Sequence, residues 1–255
     1  MTADCVTLWI GEALGPVERA CLQSVLQHGH RHSLYCYDRP EGVPDGVELR
    51  DASEILPQSE VFFHRDGSVA MFADWFRYEL QRHGLGTWVD TDVYLLRPLD
   101  GDRPHLFGRE APDLINNAVL RIPPHSPLLT ELLQMFERRT VPQWLPWRAK
   151  LRAHARALIG GKADFSRLPF GATGPDALTA IAERLGLAFE ALPSDVFNPV
   201  AWWDAEWICD PQITLDSVTT ERTVAVHLWN ECIKDFKGAP APKGSFLARL
   251  QHEGR

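Results

Sequence analysis

The feature that most constrains this chain is an apolar stretch interrupted by two aspartates. Residues 84–98 read Gly-Leu-Gly-Thr-Trp-Val-Asp-Thr-Asp-Val-Tyr-Leu-Leu-Arg-Pro, with Asp90 and Asp92 separated by one residue. Side chains two residues apart point the same way on an extended chain, so both carboxylates face one side. Unpaired carboxylates are costly to bury, so a cation should compensate them. A divalent metal bridging to a diphosphate is the simplest such cation.

The segments around the aspartates predict an α/β fold. An apolar strand pattern at 6–10 is followed by helical spacing at 18–28 and a second strand pattern at 33–37. This order predicts a parallel sheet with crossover helices. The clearest helix pattern precedes the aspartates, from Ser68 to His83, and Gly84 ends it. Further strands are expected at 47–49, 93–96, 105–107, 114–122 and 223–229, and further helices at 127–138 and 173–185.

Length and composition predict a folded, acidic protein. The chain has 255 residues, of which 45% are hydrophobic and 24% charged, which suits one large domain with at most an appendage. We expect one domain over 1–238 and a loose, Pro/Gly/Lys-rich tail over 239–255. The net charge of −8 argues against a nucleic-acid partner.

Three further observations favour a cytoplasmic location. No apolar run approaches the ~18 residues of a membrane span, and the N-terminus lacks the basic-then-apolar order of a signal peptide. The five scattered cysteines form neither a CxxC pair nor a zinc-site spacing, as expected for reduced thiols. Contact with the inner face of a membrane stays open.

The helix before the aspartates carries Asp74 and Arg77. Residues three apart share one helix face, so these two side chains can interact. A local ion pair on the surface is the simple interpretation. Because ligand sites of α/β sheets lie at strand ends, a role at the same site as Asp90 and Asp92 is the alternative.

Ordered motifs along the chain resemble those of a known enzyme family. Phe72-Ala-Asp74-Trp-Phe-Arg77-Tyr78, then Gly84-Leu-Gly86, then Trp88-Val-Asp90-Thr-Asp92-Val resembles the core of glycosyltransferases with a DXD sugar-binding region. That group includes initiating α-1,6-mannosyltransferases, α-1,4-galactosyltransferases and bacterial capsular-polysaccharide transferases. Residues 8–11, 116–118, 173–175 and 227–229 resemble further family segments in the same order, whereas Ala73, Leu85 and Asn230-Glu231 depart from the pattern.

The resemblance implies a fold and an activity. The fold is the GT-A type, a Rossmann-like mixed sheet flanked by helices. The activity is transfer of a hexose, usually with retention, from a UDP- or GDP-hexose to a saccharide or lipid-linked acceptor in surface polysaccharide or glycolipid synthesis. The implied cofactor is Mn²⁺ or Mg²⁺.

The resemblance also implies residue roles. Asp92 is the expected direct metal ligand, Asp90 binds the metal or the ribose, and His227 is the expected third ligand because imidazole suits Mn²⁺. A histidine satisfied inside the sheet is the alternative for His227. Asp90, Asp92 and Asn117 form the expected catalytic set, and the expected donor contacts are Trp9, Ile10, Gly11, Asp74, Arg77, Tyr78 and Asn116.

Residues 140–170 predict an insertion of different character. Trp144 and Trp147 are followed, between Arg148 and Arg167, by six cations and one acid in an otherwise acidic chain. This insertion is the best candidate for an acceptor-binding appendage that contacts an anionic polysaccharide or a membrane face. A solvated basic helix is the alternative.

No side chain stands out as a nucleophile, so the mechanism is open at this level. A covalent double displacement is one route. We favour front-face substitution, in which the leaving phosphate deprotonates the acceptor, because it needs only positioning and charge stabilisation.

Other activities fit the two aspartates. A haloacid-dehalogenase-type phosphatase would use Asp90 as nucleophile and Asp92 as acid/base, although such enzymes need a later acidic pair that this sequence lacks. An effector-type glycosyltransferase that modifies a protein, and a carbohydrate-binding protein without activity, also remain open.

Overall fold

A computed structural model of the chain describes residues 3–255. These residues form a central six-stranded sheet and a separate two-stranded sheet, both flanked by helices. The predicted α/β class is confirmed. The strands are β1 (Asp4–Leu8), β2 (Arg31–Cys36), β3 (Val47–Asp51), β4 (Thr87–Val89), β5 (Val93–Leu95), β6 (Leu106–Ala111), β7 (Leu114–Arg121) and β8 (Ala225–His227).

The central sheet is mixed, with strand order β3-β2-β1-β4-β7-β6. The pairs β3–β2, β2–β1 and β1–β4 are parallel, and β7 runs antiparallel to both β4 and β6. Following the chain, β2 and β3 are added on one side of β1, and β4 then pairs with the other side of β1. In open α/β sheets, such a reversal creates a crevice at the carboxyl ends of the two central strands.

Helices cover both faces of the central sheet. Val6 and Trp88 belong to the apolar cluster formed with the helices at 70–82, 127–138 and 175–184, whereas Cys5 and Val89 pack in a cluster with Val25 of the helix at 16–27. Neighbouring strand residues point to opposite faces, so the two helix layers sandwich the sheet. The helices are α1 (Pro16–Gln27), α2 (Ala70–Arg82), α3 (Pro127–Arg138), α4 (Trp147–Gly160), α5 (Pro175–Arg184), α6 (Ser194–Phe197), α7 (Leu215–Val218), α8 (Asn230–Ile233) and α9 (Phe246–Glu253).

The segment after residue 238 is folded, which corrects the expectation of a loose tail over 239–255. Ser245 caps α9 by accepting a hydrogen bond from the Ala248 amide at 3.2 Å. Phe246, Leu247 and Leu250 are buried in a cluster with residues of α1 and β8. The C-terminal helix therefore belongs to the same apolar core as the preceding residues.

The insertion at 140–170 contains the expected basic helix, α4. Most of its side chains are exposed, so the insertion adds a helix to the surface rather than to the core. Among the helices formed by residues 3–255, none combines the length and the apolar character needed to cross a membrane.

Candidate functional site

Asp90 and Asp92 lie at the point where the order of the central strands reverses. Asp90 follows β4 directly, and β4 pairs in parallel with β1, so both strands end at the same edge of the sheet. The chain then leaves the central sheet, and Asp92 precedes β5 in the small sheet. The aspartates thus occupy the crevice where this class of fold binds ligands.

His227 completes a three-residue cluster with the two aspartates. The antiparallel pair β5–β8 places His227 opposite Val93, and the Leu228 amide donates to the Asp92 carbonyl at 2.9 Å. One ligand atom from each of Asp90, Asp92 and His227 lies within 4.8 Å of the other two. Two carboxylates and an imidazole are a donor set that suits Mn²⁺, so these side chains fit a divalent cation.

Asn198 fixes the ring of His227. The Asn198 side-chain amide donates to the Arg109 carbonyl at 3.0 Å, which turns its carbonyl oxygen toward His227 Nδ1 at 3.1 Å. His227 Nδ1 is therefore protonated and donates to Asn198, and Nε2, which lies 3.3 Å from Asp92 Oδ2, donates to that carboxylate when the ring is charged. A hydrogen bond of this kind on the far nitrogen is what orients metal-binding histidines.

Asp92 is held as a carboxylate. Burial alone would raise its pKa, but the charge of His227 and the hydrogen bonds from His227 and the Asn230 amide lower the pKa to about 2. The Asn230 amide donates to Asp92 Oδ2 at 2.7 Å. In return, Asp92 raises the pKa of His227 against the opposing effect of burial.

Asp90 has the opposite electrostatic behaviour. Burial raises its pKa to about 6, the charge of Arg77 opposes this shift and the negative charge of Asp92 adds to it. Asp90 Oδ1 accepts from the Trp88 indole at 2.6 Å and lies 3.2 Å from Arg77 Nη2. The two adjacent carboxylates repel each other, which pushes their pKa values apart. A bound cation would offset this repulsion.

Asp74 and Arg77 are buried, so the simple interpretation as an ion pair on the surface is wrong. Asp74 accepts hydrogen bonds from Thr173 Oγ1 and Asn117 Nδ2, each at 2.8 Å. Arg77 donates to the Asn117 carbonyl at 2.5 Å and stacks over the Trp88 ring at 4.7 Å. Arg77 therefore bridges the Asp74 network to Asp90.

Gly174 is required at the start of α5 by this network. A Cβ atom there would lie 2.8 Å from both carboxylate oxygens of Asp74 and 2.9 Å from Asn117 Nδ2. Tyr78, expected to contact a donor, is fully buried, and its hydroxyl donates to the Thr173 carbonyl at 3.0 Å. Tyr78 in this structure supports the network from behind.

Asn116 points toward an acid that sequence reasoning missed. Its side-chain Nδ2 donates to Glu110 Oε2 at 2.6 Å, and its side-chain Oδ1 accepts from the Ala118 backbone amide at 2.7 Å. Burial raises the pKa of Glu110, and the charges of His227 and Asp176 act on the same carboxyl group. Glu110 is thus a third acid at the edge of the cluster, brought there by the β6–β7 hairpin.

The predicted nucleotide-binding residues lie at the end of β1. The Trp9 amide donates to the Tyr35 carbonyl at 2.9 Å. The Trp9 indole N–H is buried and has no acceptor among residues 3–255, and a Cβ at Gly11 would lie 3.1 Å from it. Ile10 is half-buried and Gly11 is exposed, so this turn offers backbone amides and one unpartnered donor.

The structure thus brings most predicted site residues to one edge of the sheet, and Asn198 and Glu110 are two further residues that the sequence did not indicate.

No family model matches the chain, and no curated protein matches it. One similar solved structure is the "PaToxG Glycosyltransferase", which is 13% identical over 74% of this chain and 72% of that chain, with a TM-score of 0.46. Similarity at this level does not establish a family for the chain.

Proposed function

We propose that this protein is a metal-dependent glycosyltransferase of the GT-A type, which moves a hexose from a nucleotide-sugar donor to a saccharide acceptor. The observation that carries the proposal is the cluster of Asp90, Asp92 and His227, placed at the strand reversal next to Arg77. Departure of a sugar from a nucleoside diphosphate leaves growing negative charge on the phosphates. The cluster provides a site for a metal cation where that charge develops, and Arg77 supplies a second positive charge beside it.

Asp92 and His227 would bind Mn²⁺ or Mg²⁺ directly, with Asp90 as the third ligand. A bound divalent ion neutralises the leaving diphosphate. The hydrogen bond from His227 to Asn198 keeps Nε2 available as a ligand. The low pKa of Asp92 keeps this carboxylate ionised at neutral pH.

The residues of this chain would orient the donor. The unpartnered Trp9 indole N–H and the amides of Ile10 and Gly11 suit the oxygens of a nucleotide beside β1. Arg77 supplies guanidinium donors near Asp90, although two of its nitrogens already contact Asp90 and Asn117. The two carboxylate oxygens of Asp74 accept hydrogen bonds from Asn117 and Thr173. The proposed role of Asp74 is therefore to hold Asn117 in place beside the donor sugar.

Front-face substitution fits this set of side chains. In that reaction the bond between the anomeric carbon and the phosphate oxygen breaks, and the acceptor oxygen attacks from the same face while its proton passes to the leaving phosphate. Asn117 and Asn116 would position the donor sugar. Glu110 Oε1 has no hydrogen bond among the described residues, which suits contact with a sugar hydroxyl.

The phosphatase alternative is disfavoured by the same geometry. Asp90 would be the nucleophile, yet its Oδ1 accepts from Trp88 and contacts Arg77. The third member of the cluster is a histidine rather than the second acidic pair that binds Mg²⁺ in such enzymes.

The direct test is a thermal-shift screen of UDP- and GDP-sugars with and without Mn²⁺. We expect at least one donor to raise the melting temperature only when the metal is present, because the metal links the protein to the diphosphate. Asp92→Asn should lose this shift, whereas the exposed control Asp45→Asn should keep it. A phosphatase would instead hydrolyse p-nitrophenyl phosphate with Mg²⁺.

A further inference from the structure

The basic helix α4 exposes an apolar stripe to solvent. Trp147, Leu151 and Leu158 are 71%, 64% and 87% exposed. At 100° per residue these three side chains share one side of the helix. Among the residues of this helix, all of which the structure describes, only Ala153 is buried, and it points away from the stripe. A 14-residue helix with so little packing is marginal by itself in water, so a surface that covers the stripe would stabilise it.

A row of arginines lies on the same helix outside the apolar stripe. Arg148, Arg152 and Arg156 are spaced four residues apart, so they align along the helix, and all three are exposed. Arg148 stacks over the Trp147 ring at 5.1 Å. A helix with aromatic and aliphatic side chains on one side and arginines on its remaining exposed surface is the pattern of a helix that lies in a membrane interface.

A neighbouring loop, 63–67, adds one arginine and one exposed phenylalanine to this surface and also carries Asp66. Arg65, Arg156 and Arg167 line a surface pocket of about 300 Å³ together with Phe63 and Ser166. The loop is fixed there, because the Arg65 amide donates to the Ser166 carbonyl at 3.0 Å. Within residues 3–255, Arg65 and Arg156 have no carboxylate partner. Phe63 is 54% exposed, so apolar and cationic groups again lie side by side.

Charge sets this surface apart from the rest of the molecule. Residues 148–167 carry six cations and one acid, and the whole chain carries −8, so the remaining residues carry a net −13. An anionic surface therefore attracts this segment and repels the rest of the chain, which fixes the orientation of docking.

We propose that α4 and the 63–67 loop form a docking surface for an anionic phospholipid bilayer. Trp147, Leu151 and Leu158 enter the boundary between headgroups and acyl chains, and the arginines contact lipid phosphates. Arg167 lies six residues before Thr173, whose hydroxyl donates a hydrogen bond to Asp74. Docking through this segment would therefore hold the candidate site near the membrane. The proposal is independent of the proposed transferase activity, because lipid binding needs neither metal nor donor.

The test is co-sedimentation of the full chain with vesicles of phosphatidylcholine mixed with phosphatidylglycerol, against vesicles of phosphatidylcholine alone. We expect binding to the anionic vesicles that weakens as salt rises. The triple variant Arg148→Gln/Arg152→Gln/Arg156→Gln should bind roughly hundredfold more weakly, since each cation near an anionic surface contributes about fivefold. Trp147→Ser with Leu151→Ser should also weaken binding.

Matched controls lie elsewhere on the surface. Arg50→Gln/Arg97→Gln/Arg222→Gln removes the same charge from exposed positions, and Phe189→Ser removes an exposed apolar side chain. Both controls should bind like the unaltered chain. Equal binding to neutral and anionic vesicles, equal loss in the control variants, or binding to an acidic polysaccharide without binding to vesicles would overturn the proposal.

Discussion

His227 and Asn198 are joined by a hydrogen bond of 3.1 Å that determines which ring nitrogen faces Asp92. Asn198 lies in the loop after α6, 29 residues before His227 in the chain. The Arg109 carbonyl holds the Asn198 amide in the required orientation. The availability of His227 for a metal therefore depends on a residue that lies outside the cluster.

Loss of this hydrogen bond should weaken metal binding. We expect Asn198→Ala to lower Mn²⁺ affinity about 10- to 100-fold, the usual effect of removing the partner of a ligating histidine. Isothermal titration of Mn²⁺ checks this, with Asn198→Asp as the variant that keeps an acceptor for Nδ1–H. Unchanged affinity in Asn198→Ala would show that His227 is not a metal ligand.

Gly174 should tolerate no side chain. A Cβ would lie 2.8 Å from the Asp74 carboxylate, so Gly174→Ala must displace the network around a buried ion pair. We expect a loss of about 1–3 kcal/mol in the free energy of unfolding, measured with urea. Gly238→Ala is the matched control, because a Cβ added at that position would have no neighbour within 4 Å. Equal stability of the two variants would contradict the account of Asp74.

Glu110 should act on turnover and not on metal binding. Glu110→Gln keeps an acceptor for the Asn116 amide but removes the charge beside His227. If the free oxygen contacts the reacting sugar, kcat should fall at least about tenfold while the Mn²⁺ titration stays unchanged. Steady-state kinetics with the donor found in the thermal-shift screen measure this. A normal kcat would place Glu110 outside the reaction.

Acid should destabilise the protein through His32. Burial lowers the pKa of His32 to about 4, and its Nε2 has no partner among the described residues. The unfolded chain therefore binds a proton near pH 6.5 that the folded chain takes up only near pH 4. The free energy of unfolding is unaffected by His32 above about pH 6.5. It falls by up to about 1.4 kcal/mol per pH unit as the pH drops toward 4.

The measurement is urea unfolding across this pH range, with His32→Leu as the comparison. The variant removes one proton-binding group and should reduce the slope of unfolding free energy against pH. His30, whose pKa is also lowered by burial, keeps part of the slope in both proteins. An identical slope in the variant would show that His32 does not titrate as its burial requires.

The sequence was most informative where one local pattern determines the structure. The helix predicted at 127–138 is observed as Pro127–Arg138, because its apolar residues recur at helical spacing and Pro127 opens it. The motifs around Asp74, Arg77, Asp90, Asp92 and His227 also identified side chains that the structure brings together. Each of these lies on or directly beside a regular element of the sheet or of α2.

Features that depend on distant packing were missed. The tail was expected to be loose because it is rich in Pro, Gly and Lys, whereas Phe246 and Leu250 find a cluster with residues of α1. Asn198 and Glu110 carry no local signal, since their importance comes from contacts with His227 and Asn116 made by the folded chain. The buried Asp74 likewise accepts a hydrogen bond from Thr173, which is 99 residues away in the chain.

The central claim is that Asp92 binds a divalent metal that carries the donor diphosphate. The most direct measurement is the Mn²⁺-dependent thermal shift with a nucleotide sugar, in the unaltered chain and in Asp92→Asn. We predict that Asp92→Asn folds, as shown by an unchanged circular dichroism spectrum, but shows no metal-dependent shift and no transfer. A variant that keeps the full Mn²⁺-dependent shift and the unaltered rate of sugar transfer would contradict the account.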